Sequence, residues 1–201
     1  MKRWIVLVAA LLLSLTGCGK SGTVVGTWEQ VVDVADGLAD TFVDEQAAYF
    51  LEIDEVPFYM TVTFAEDGTY SMELNVEKSR AGLKKFVDAW YTATTDLWGA
   101  LLEQNESDAA VSDMLIDFEE YHGKSLREKL SEQIVLEDFA ENFKASGTYR
   151  VEGDKLYRHE DASIYETIVV ESDTLHIVSS SDPDLSEDDA AGYPYTFTRV
   201  K

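Results

Sequence analysis

The side chains of this chain that could do chemistry are three histidines, one cysteine and a large excess of carboxylates. His122, His159 and His176 are far apart in the sequence and lack metal-ligand spacing such as H-x-x-x-H. His159 and His176 could approach each other from neighbouring strands, but a solvent-facing or hydrogen-bonded histidine is the simpler interpretation. The sequence has no G-x-S-x-G, no phosphate-cradling glycine loop and no C-x-x-C. We therefore expect a protein that is not an enzyme, with no catalytic residues and no cofactor.

Oxygen-bearing side chains alternate in an acidic loop near the C-terminus, where Asp182, Asp184 and Asp188 stand. A calcium loop of the EF-hand type needs Gly where Glu187 stands and a bidentate Glu where Tyr193 stands. We interpret the segment as a solvated loop that joins the last two strands. The three aspartates remain only a weak candidate for a cation site.

The single cysteine, Cys18, ends an N-terminal segment of distinctive composition. Lys2 and Arg3 form a short basic head, and residues 4–15 are almost entirely apolar. This apolar run is too short to span a bilayer comfortably, and it lies where the apolar region of a signal peptide belongs. With the following Thr16-Gly17, the segment resembles a bacterial lipoprotein signal with its lipobox. Alternatives are a plain transmembrane anchor, or a cleaved signal with an incidental cysteine.

The lipoprotein resemblance implies that the bond before Cys18 is cut and that the Cys18 thiol carries the lipid. Residues 1–17 are then a signal peptide, residues 18–23 a lipidated cysteine with a short tether, and residues 24–201 the folded domain. Acyl chains contribute about 0.8 kcal/mol per buried CH₂, so that two or more chains hold a protein stably. We expect an extracytoplasmic protein at the outer face of the cell membrane, in a host with one membrane or two.

The charge of the chain limits its partners. There are 39 acidic residues against 16 Lys and Arg, a formal net charge of −23. Phosphates would be repelled, which excludes nucleic acid and anionic membrane surfaces as partners. The simplest interpretation is a highly soluble, self-repelling surface on a monomer; the alternatives are a cation site or a basic protein partner.

Apolar and polar side chains alternate in several short segments, the pattern of strands with one buried face. In the clearest case, residues 58–77, the side chains of Tyr70, Met72 and Leu74 share one face and Gly68 supplies a hairpin turn. The other predicted strands are residues 24–34, 148–152, 155–159, 164–171, 174–179 and 193–200. Together they predict eight strands, most of them joined to their neighbours by short turns in an antiparallel meander.

Two helical regions interrupt the strands. Residues 36–51 predict one helix. Large apolar side chains recur every three to four residues within a longer insertion, about residues 79–145, between the third and fourth strands. Inside it, Ser125 and Glu128 have the spacing of a capping box and predict the start of a third helical segment that ends near Phe143. The insertion is therefore predicted to be one helical subdomain.

The sequence Gly26-Thr27-Trp28 resembles the G-x-W of lipocalins, and Arg199 stands at the position of its usual partner. Five segments extend the likeness: VVGTWE, FAEDGTYSMEL, SGTYRVEGDKLY, YETIVVESDTLHIV and YPYTFTRVK. Together they resemble the lipocalin-like lipoproteins of Gram-positive bacteria, several of which carry a helical insertion after the third strand. The resemblance implies a mainly β fold, an eight-stranded antiparallel meander barrel with an inserted helical subdomain. It also implies that Trp28 and Arg199 meet where the first and last strands close the barrel.

Two functions remain open at this stage. In the first, the barrel or its helical lid binds a small apolar or amphipathic molecule. In the second, the barrel is filled and the protein contacts a partner protein of the envelope through the helical insertion or the acidic surface. A cavity inside would favour the first, and an exposed apolar patch the second. The residues predicted to line a ligand site are Tyr70, Met72, Trp90, Tyr149, Tyr195 and Phe197.

Overall fold

A computed structural model describes residues 23–186 and 192–201. The predicted signal peptide, Cys18 and Asp188 lie outside these residues. Nine strands are present in the described chain: β1 (Gly26–Asp33), β2 (Pro57–Phe64), β3 (Thr69–Leu74), β4 (Ala145–Thr148), β5 (Arg150–Glu152), β6 (Lys155–Tyr157), β7 (Glu166–Val170), β8 (Thr174–Ser180) and β9 (Tyr195–Arg199). The helices are α1 (Ala35–Phe42), α2 (Glu45–Ala48), α3 (Val76–Gln104), α4 (Val111–His122), α5 (Leu126–Glu132) and α6 (Leu136–Asn142).

The strands form one nearly closed antiparallel sheet, in the order β4-β3-β2-β1-β9-β8-β7-β6-β5. Its two edge strands, β4 and β5, are separated in the chain by Tyr149 alone. The bent segment 145–152 therefore pairs first with β3 and then with β6, and it joins the two edges of the sheet. The predicted antiparallel barrel-like sheet with a helical part is confirmed. The predicted count of eight strands is wrong, because residues 145–148, just ahead of the expected strand 148–152, form a strand of their own before the bend at Tyr149.

The helical insertion begins earlier than predicted. The sequence pattern continues the third strand through Val76, but β3 ends at Leu74 and Val76 is the first residue of α3. The Asn75 side chain stops the strand, because its oxygen accepts a hydrogen bond from the Lys78 backbone N–H (3.1 Å) and caps the helix. The inserted helices therefore run from Val76 to Asn142, rather than over residues 79–145.

The main helix of the insertion, α3, lies close against β2. Its buried face includes Ser79, Gly82, Phe86 and Trp90, which recur at helical spacing. The Ser79 hydroxyl accepts a hydrogen bond from the Tyr59 backbone N–H (3.0 Å). A Cβ on Gly82 would lie 2.5 Å from the Pro57 carbonyl oxygen, so glycine permits this close approach.

Two predicted helical segments are each divided into two helices. Residues 36–51 contain α1 and the short α2, where the Asp44 side chain accepts a hydrogen bond from the Gln46 backbone N–H (2.8 Å) and starts α2. The third segment of the insertion is divided into α5 and α6. Among the described residues, none of the helices combines the length and apolarity required to cross a membrane.

The core has two parts that meet inside the sheet. Alternate side chains of β2 point inward: Val62 and Phe64 belong to the barrel core, whereas Phe58 and Met60 pack against the helices. The helices therefore cover one end of the barrel. The opposite end carries the hairpin turns at Gly68 and Gly153 and the first described residue, Thr23.

Candidate functional site

The barrel interior is filled by its own side chains. Trp28, Phe64, Leu156, Leu175 and Ile177 are each at most 1% exposed and form its centre. The indole N–H of Trp28 donates a hydrogen bond to the Val24 carbonyl oxygen (2.7 Å), so its polar atom is also satisfied. A barrel of about eight strands has just enough interior for such packing. This region of the molecule is a packed core.

Two tyrosines predicted to line a ligand site are part of that packing. The Tyr149 ring lies edge-on to Phe64, with 4.9 Å between ring centroids, and its hydroxyl donates to the Ala65 carbonyl oxygen (2.8 Å). The Tyr70 hydroxyl donates to the Arg158 carbonyl oxygen (3.4 Å). Burial, together with the nearby Asp67 charge, raises the pKa of Tyr149. Both hydroxyls are thus bound to the barrel backbone.

The other predicted lining residues lie in different places. Phe197 is 5% exposed in the barrel core, and the Tyr195 ring packs on Tyr193 at a centroid distance of 4.6 Å. Met72 contacts both the barrel core and the helix-covered core. Trp90 is buried among the helices, 6.0 Å from the Phe86 ring. The structure therefore does not gather the six residues around one cavity.

Trp28 and Arg199 are in contact across the paired first and last strands. The Arg199 guanidinium lies 4.0 Å from the Trp28 ring centroid, a cation–π geometry that contributes about 0.5–2 kcal/mol. The same guanidinium donates to the carbonyl oxygens of Val25 (2.9 Å), Thr23 (3.0 Å) and Ser172 (3.2 Å). Arg199 therefore ties the start of β1 to the turn before β8.

A buried ion pair lies on the inner face of the sheet, between Arg158 after β6 and Glu166 in β7. Arg158 donates from Nε to Glu166 Oε2 (2.5 Å) and from Nη2 to Oε1 (2.7 Å), and Glu166 is 3% exposed. Burial acts to lower the pKa of Arg158, but the hydrogen bonds and charge of Glu166 outweigh it, so that the pKa is raised. Our reading of the sequence missed this pair. The signal was the alternation itself, since Arg158 and Glu166 share the inward face with Leu156 and Ile168.

The histidines are separate from one another. The His122 ring lies 4.2 Å from Phe118, and His176 Nδ1 lies 3.0 Å from the Thr196 hydroxyl. His159 and His176 do not lie on neighbouring strands, an arrangement that the sequence allowed, because His159 follows β6, His176 is in β8, and β7 lies between these two strands.

The acidic loop that we considered as a cation site contains a turn held by an aspartate side chain. Asp182 Oδ1 accepts a hydrogen bond from the Asp184 backbone N–H (3.0 Å), and Asp188 lies outside the described residues. Within residues 23–186 and 192–201, no three or more His, Cys, Asp or Glu side chains are placed to hold a metal ion together. The described part of the loop therefore adds no ligand set to the candidate site.

The least covered element of the insertion is α4. Its inner face packs on α3, where the Phe118 ring lies 6.1 Å from Trp98 and Val111 contacts Gly99. No residue of this fully described helix is buried, although half of it is apolar. Ile116 and Tyr121 on its outer side are 57% and 84% exposed. We did not predict these two; their positions off the inner apolar stripe of the helix are the signal that could have found them.

Two of the open grooves on the described surface lie in different parts of the molecule, one between helices and one at the turn end of the barrel. One, of about 390 Å³, lies between α3 and α5 over Leu83 and Val87, with Arg80, Lys84 and Arg127 at its rim. The cations are paired: Arg80 with Glu137 (2.8 Å), and both Lys84 (2.7 Å) and Arg127 with Asp88. The other, of about 560 Å³, lies at the turn end of the barrel. It is lined by Thr23, Val24, Val151, Gly153, Asp154, Ile168, Val169 and Val170.

No protein-family model matches the chain, and comparisons with curated proteins and with solved structures find no significant match. The likeness to lipocalin-like lipoproteins therefore rests on the motifs of the sequence. The function has to be inferred from the packed barrel, the exposed face of α4 and the grooves.

Proposed function

We propose that this protein is a lipocalin-like lipoprotein, held at the outer face of the cell membrane by a lipid on Cys18, that it is not an enzyme, and that it binds another protein of the envelope through its helical insertion. The observation that carries the proposal is the exposure of α4, a half-apolar helix without a buried residue, which lies wholly in the described chain. Large exposed apolar side chains are typical of interaction surfaces, and α4 carries two of them, Ile116 and Tyr121.

The placement of the elements supports the same function. Thr23 lies at the turn end of the barrel, whereas the helices cover the other end. Because Cys18 precedes Thr23 by only a few residues, a lipid on Cys18 would hold the turn end towards the bilayer. The helical insertion would then face away from the membrane, where a partner can reach it.

The lipid anchor is tested with an alkyne-bearing fatty acid supplied to the native host. We expect the chain to become labelled and to sediment with membranes. Cys18→Ser should be unlabelled and lose membrane attachment. Labelling of Cys18→Ser, or its unchanged sedimentation with membranes, would contradict the anchor.

The partner is tested with a photo-reactive amino acid at Ile116, with Val178 on β8 as the matched barrel position. Both side chains are exposed, at 57% and 42%. We expect a discrete cross-linked species in the native host from position 116 and none from position 178. Absence of a species from position 116, or equal yields from both, would rule out binding through the insertion.

A small-molecule function is the second candidate, and the groove between α3 and α5 favours it. Its volume of about 390 Å³ is in the range of ligand sites, and its apolar side chains bordered by ion-paired polar ones suit a small amphipathic molecule. A fluorescent aliphatic carboxylate should bind in a one-to-one, saturable manner. Ser131→Trp, which fills the groove, should abolish that binding, whereas Ser172→Trp in a barrel turn should not. Binding unaffected by Ser131→Trp would exclude this groove.

A further inference from the structure

The outer face of α4 has an apolar centre surrounded by carboxylates. Ile116 has Asp113 three residues before it, and Glu119 and Glu120 three and four residues after it. Residues at these spacings are neighbours on a helix surface, so the three carboxylates flank the exposed Ile116 side chain. Tyr121 is 84% exposed but lies about 140° around the helix from Ile116, so Ile116 is the apolar centre of this face. The face therefore combines an apolar anchor with a negative rim.

The charge of this region is largely uncompensated. Residues 86–123 contain nine Asp and Glu and no Lys or Arg, and of these carboxylates only Asp88 forms an ion pair among the described residues, with Lys84 and Arg127. Among the described residues, no Lys or Arg pairs with Asp117, Glu119 or Glu120. Elsewhere in the insertion carboxylates do form ion pairs, as Glu132 does with Lys124. The part of the insertion around α4 is thus strongly negative, whereas its remaining residues, 76–85 and 124–142, are close to neutral in net charge.

This distribution of charge determines which partner fits. Two copies of the same face would place carboxylates against carboxylates, so an isologous dimer through α4 is disfavoured. An anionic membrane surface or a nucleic acid is repelled for the same reason. We propose, resting on the proposed function, that the outer face of α4 binds a Lys- or Arg-rich amphipathic helix of another protein, which places an apolar side chain on Ile116 and cations on the surrounding carboxylates. The face is small, so the contact is weak and sensitive to salt.

The chemistry is tested with a defined probe and the full chain in phosphatidylcholine nanodiscs. The probe is a fluorescent amphipathic peptide of leucine and lysine, about 18 residues long, and its control has glutamate in place of lysine. Anisotropy, corrected with empty nanodiscs, should show binding of the cationic peptide alone, weakening as NaCl is raised. Lack of binding, or equal binding of the glutamate peptide, would overturn the proposal.

The location is tested with charge reversal at two matched acidic pairs. Glu119→Lys with Glu120→Lys should weaken peptide binding about tenfold or more. Asp54→Lys with Glu55→Lys, an exposed adjacent pair outside α4 with the same change in net charge, should weaken it by no more than about twofold. Ile116→Ser removes the apolar anchor without changing charge and should also weaken binding several-fold. Equal losses from the two reversed pairs would mean attraction to the whole acidic molecule, and would overturn the site.

Failure of this inference can be told apart from failure of the proposed function. If the species cross-linked from position 116 in the host persists in the Glu119→Lys, Glu120→Lys chain, the protein binds a partner through α4 but the partner is not cationic. If position 116 forms no species at all, binding through the insertion itself is wrong. Loss of the species on charge reversal, and its retention in the Asp54→Lys, Glu55→Lys chain, is the result that we expect.

Discussion

Gly26, Trp28 and Arg199 form one contact in which each residue has a different physical role. Arg199 lies over the Trp28 ring and donates three hydrogen bonds to backbone carbonyl oxygens. These carbonyl groups would otherwise depend on water for a hydrogen-bond donor. Gly26 has a φ of +133°, and a Cβ there would lie 2.4 Å from Arg199 Nη1. The glycine of the G-x-W pattern is therefore needed both for backbone conformation and for the space that Arg199 occupies.

Gly26→Ala should lower the free energy of unfolding by about 2–3 kcal/mol, because it adds backbone strain and displaces Arg199. Gly153→Ala is the control: its φ of +66° is also positive, but no atom lies within 4 Å of the added Cβ, so the loss should be about 1 kcal/mol. Urea denaturation of both variants measures the difference. Gly26→Ala should therefore cost more stability than Gly153→Ala, and much of this difference should disappear when both are made in an Arg199→Ala background. A difference that stays the same in that background would show that Arg199 is not involved.

The buried Arg158–Glu166 pair makes a separate prediction at the residue scale. Glu166→Ala leaves the guanidinium buried without its partner, and we expect a loss of about 3–5 kcal/mol in the free energy of unfolding. The double variant Arg158→Met, Glu166→Leu removes both charges and should recover most of that loss. Thermal or urea unfolding measures both. If the double variant is as unstable as Glu166→Ala, the unpaired charge is not the cause.

At the scale of elements, capping side chains determine where the insertion turns. Ser125 and Glu128 form a reciprocal capping box at the start of α5: the Glu128 carboxylate accepts from the Ser125 backbone N–H (2.9 Å) and from its hydroxyl (2.7 Å). The hydroxyl and backbone hydrogen bonds of Ser125 lower the pKa of Glu128. The box directs the chain from α4 into α5 and so positions Leu126, which is 5% exposed in the core.

Ser125→Ala should reduce the free energy of unfolding at pH 7 by about 1 kcal/mol, the usual effect of losing an N-cap side chain. Ser112→Ala, an exposed position within α4, serves as the control and should change it little. Because the pKa of Glu128 is lower in the folded state, its contribution is present at neutral pH and is lost as the pH falls through that folded pKa. The difference between the wild type and Ser125→Ala should therefore narrow in acid. A difference independent of pH would contradict a role for the ionised carboxylate.

At the scale of the whole molecule, the dominant property is the net charge of −23. Several cations are already paired with carboxylates in exposed contacts, which contribute little stability. The remaining negative charges repel one another in the compact state more than in the unfolded chain. Salt screens both the repulsion between carboxylates and the attraction within ion pairs. We expect the weakened repulsion to be the larger of the two effects on stability.

Raising NaCl from about 10 mM to about 0.5 M should increase the melting temperature, because the Debye length falls well below the distances between the carboxylates. A gain of about 1 kcal/mol corresponds to about 2–4 °C for a chain of this size. Differential scanning calorimetry at pH 7 measures it. The Asp54→Lys, Glu55→Lys chain, whose net charge is four units less negative, should show a smaller increase. A melting temperature that falls with NaCl would mean that the ion pairs outweigh the repulsion.

The class of the fold could be predicted from the amino-acid sequence, because the features that indicate it are local. Alternation in residues 58–77 and the turn glycines at Gly68 and Gly153 predicted hairpins, and helical spacing predicted the insertion, since each pattern depends on neighbours a few residues away. The capping box at Ser125 was predicted from local spacing in the same way. The contact of Trp28 with Arg199 was expected from the resemblance to lipocalins, because a closed meander pairs its first strand with its last.

How those elements pack together depends on contacts between distant parts of the chain, which local patterns do not specify. The bend at Tyr149, the ending of β3 before Val76 and the separation of His159 from His176 by β7 depend on pairing between distant segments. The same is true of the barrel interior: the aromatic side chains that could have lined a cavity were equally compatible with a packed core, and packing placed them against Phe64 and Trp28. The exposed face of α4 was decided in the same way, because burial depends on which neighbours an element meets and not on its own sequence.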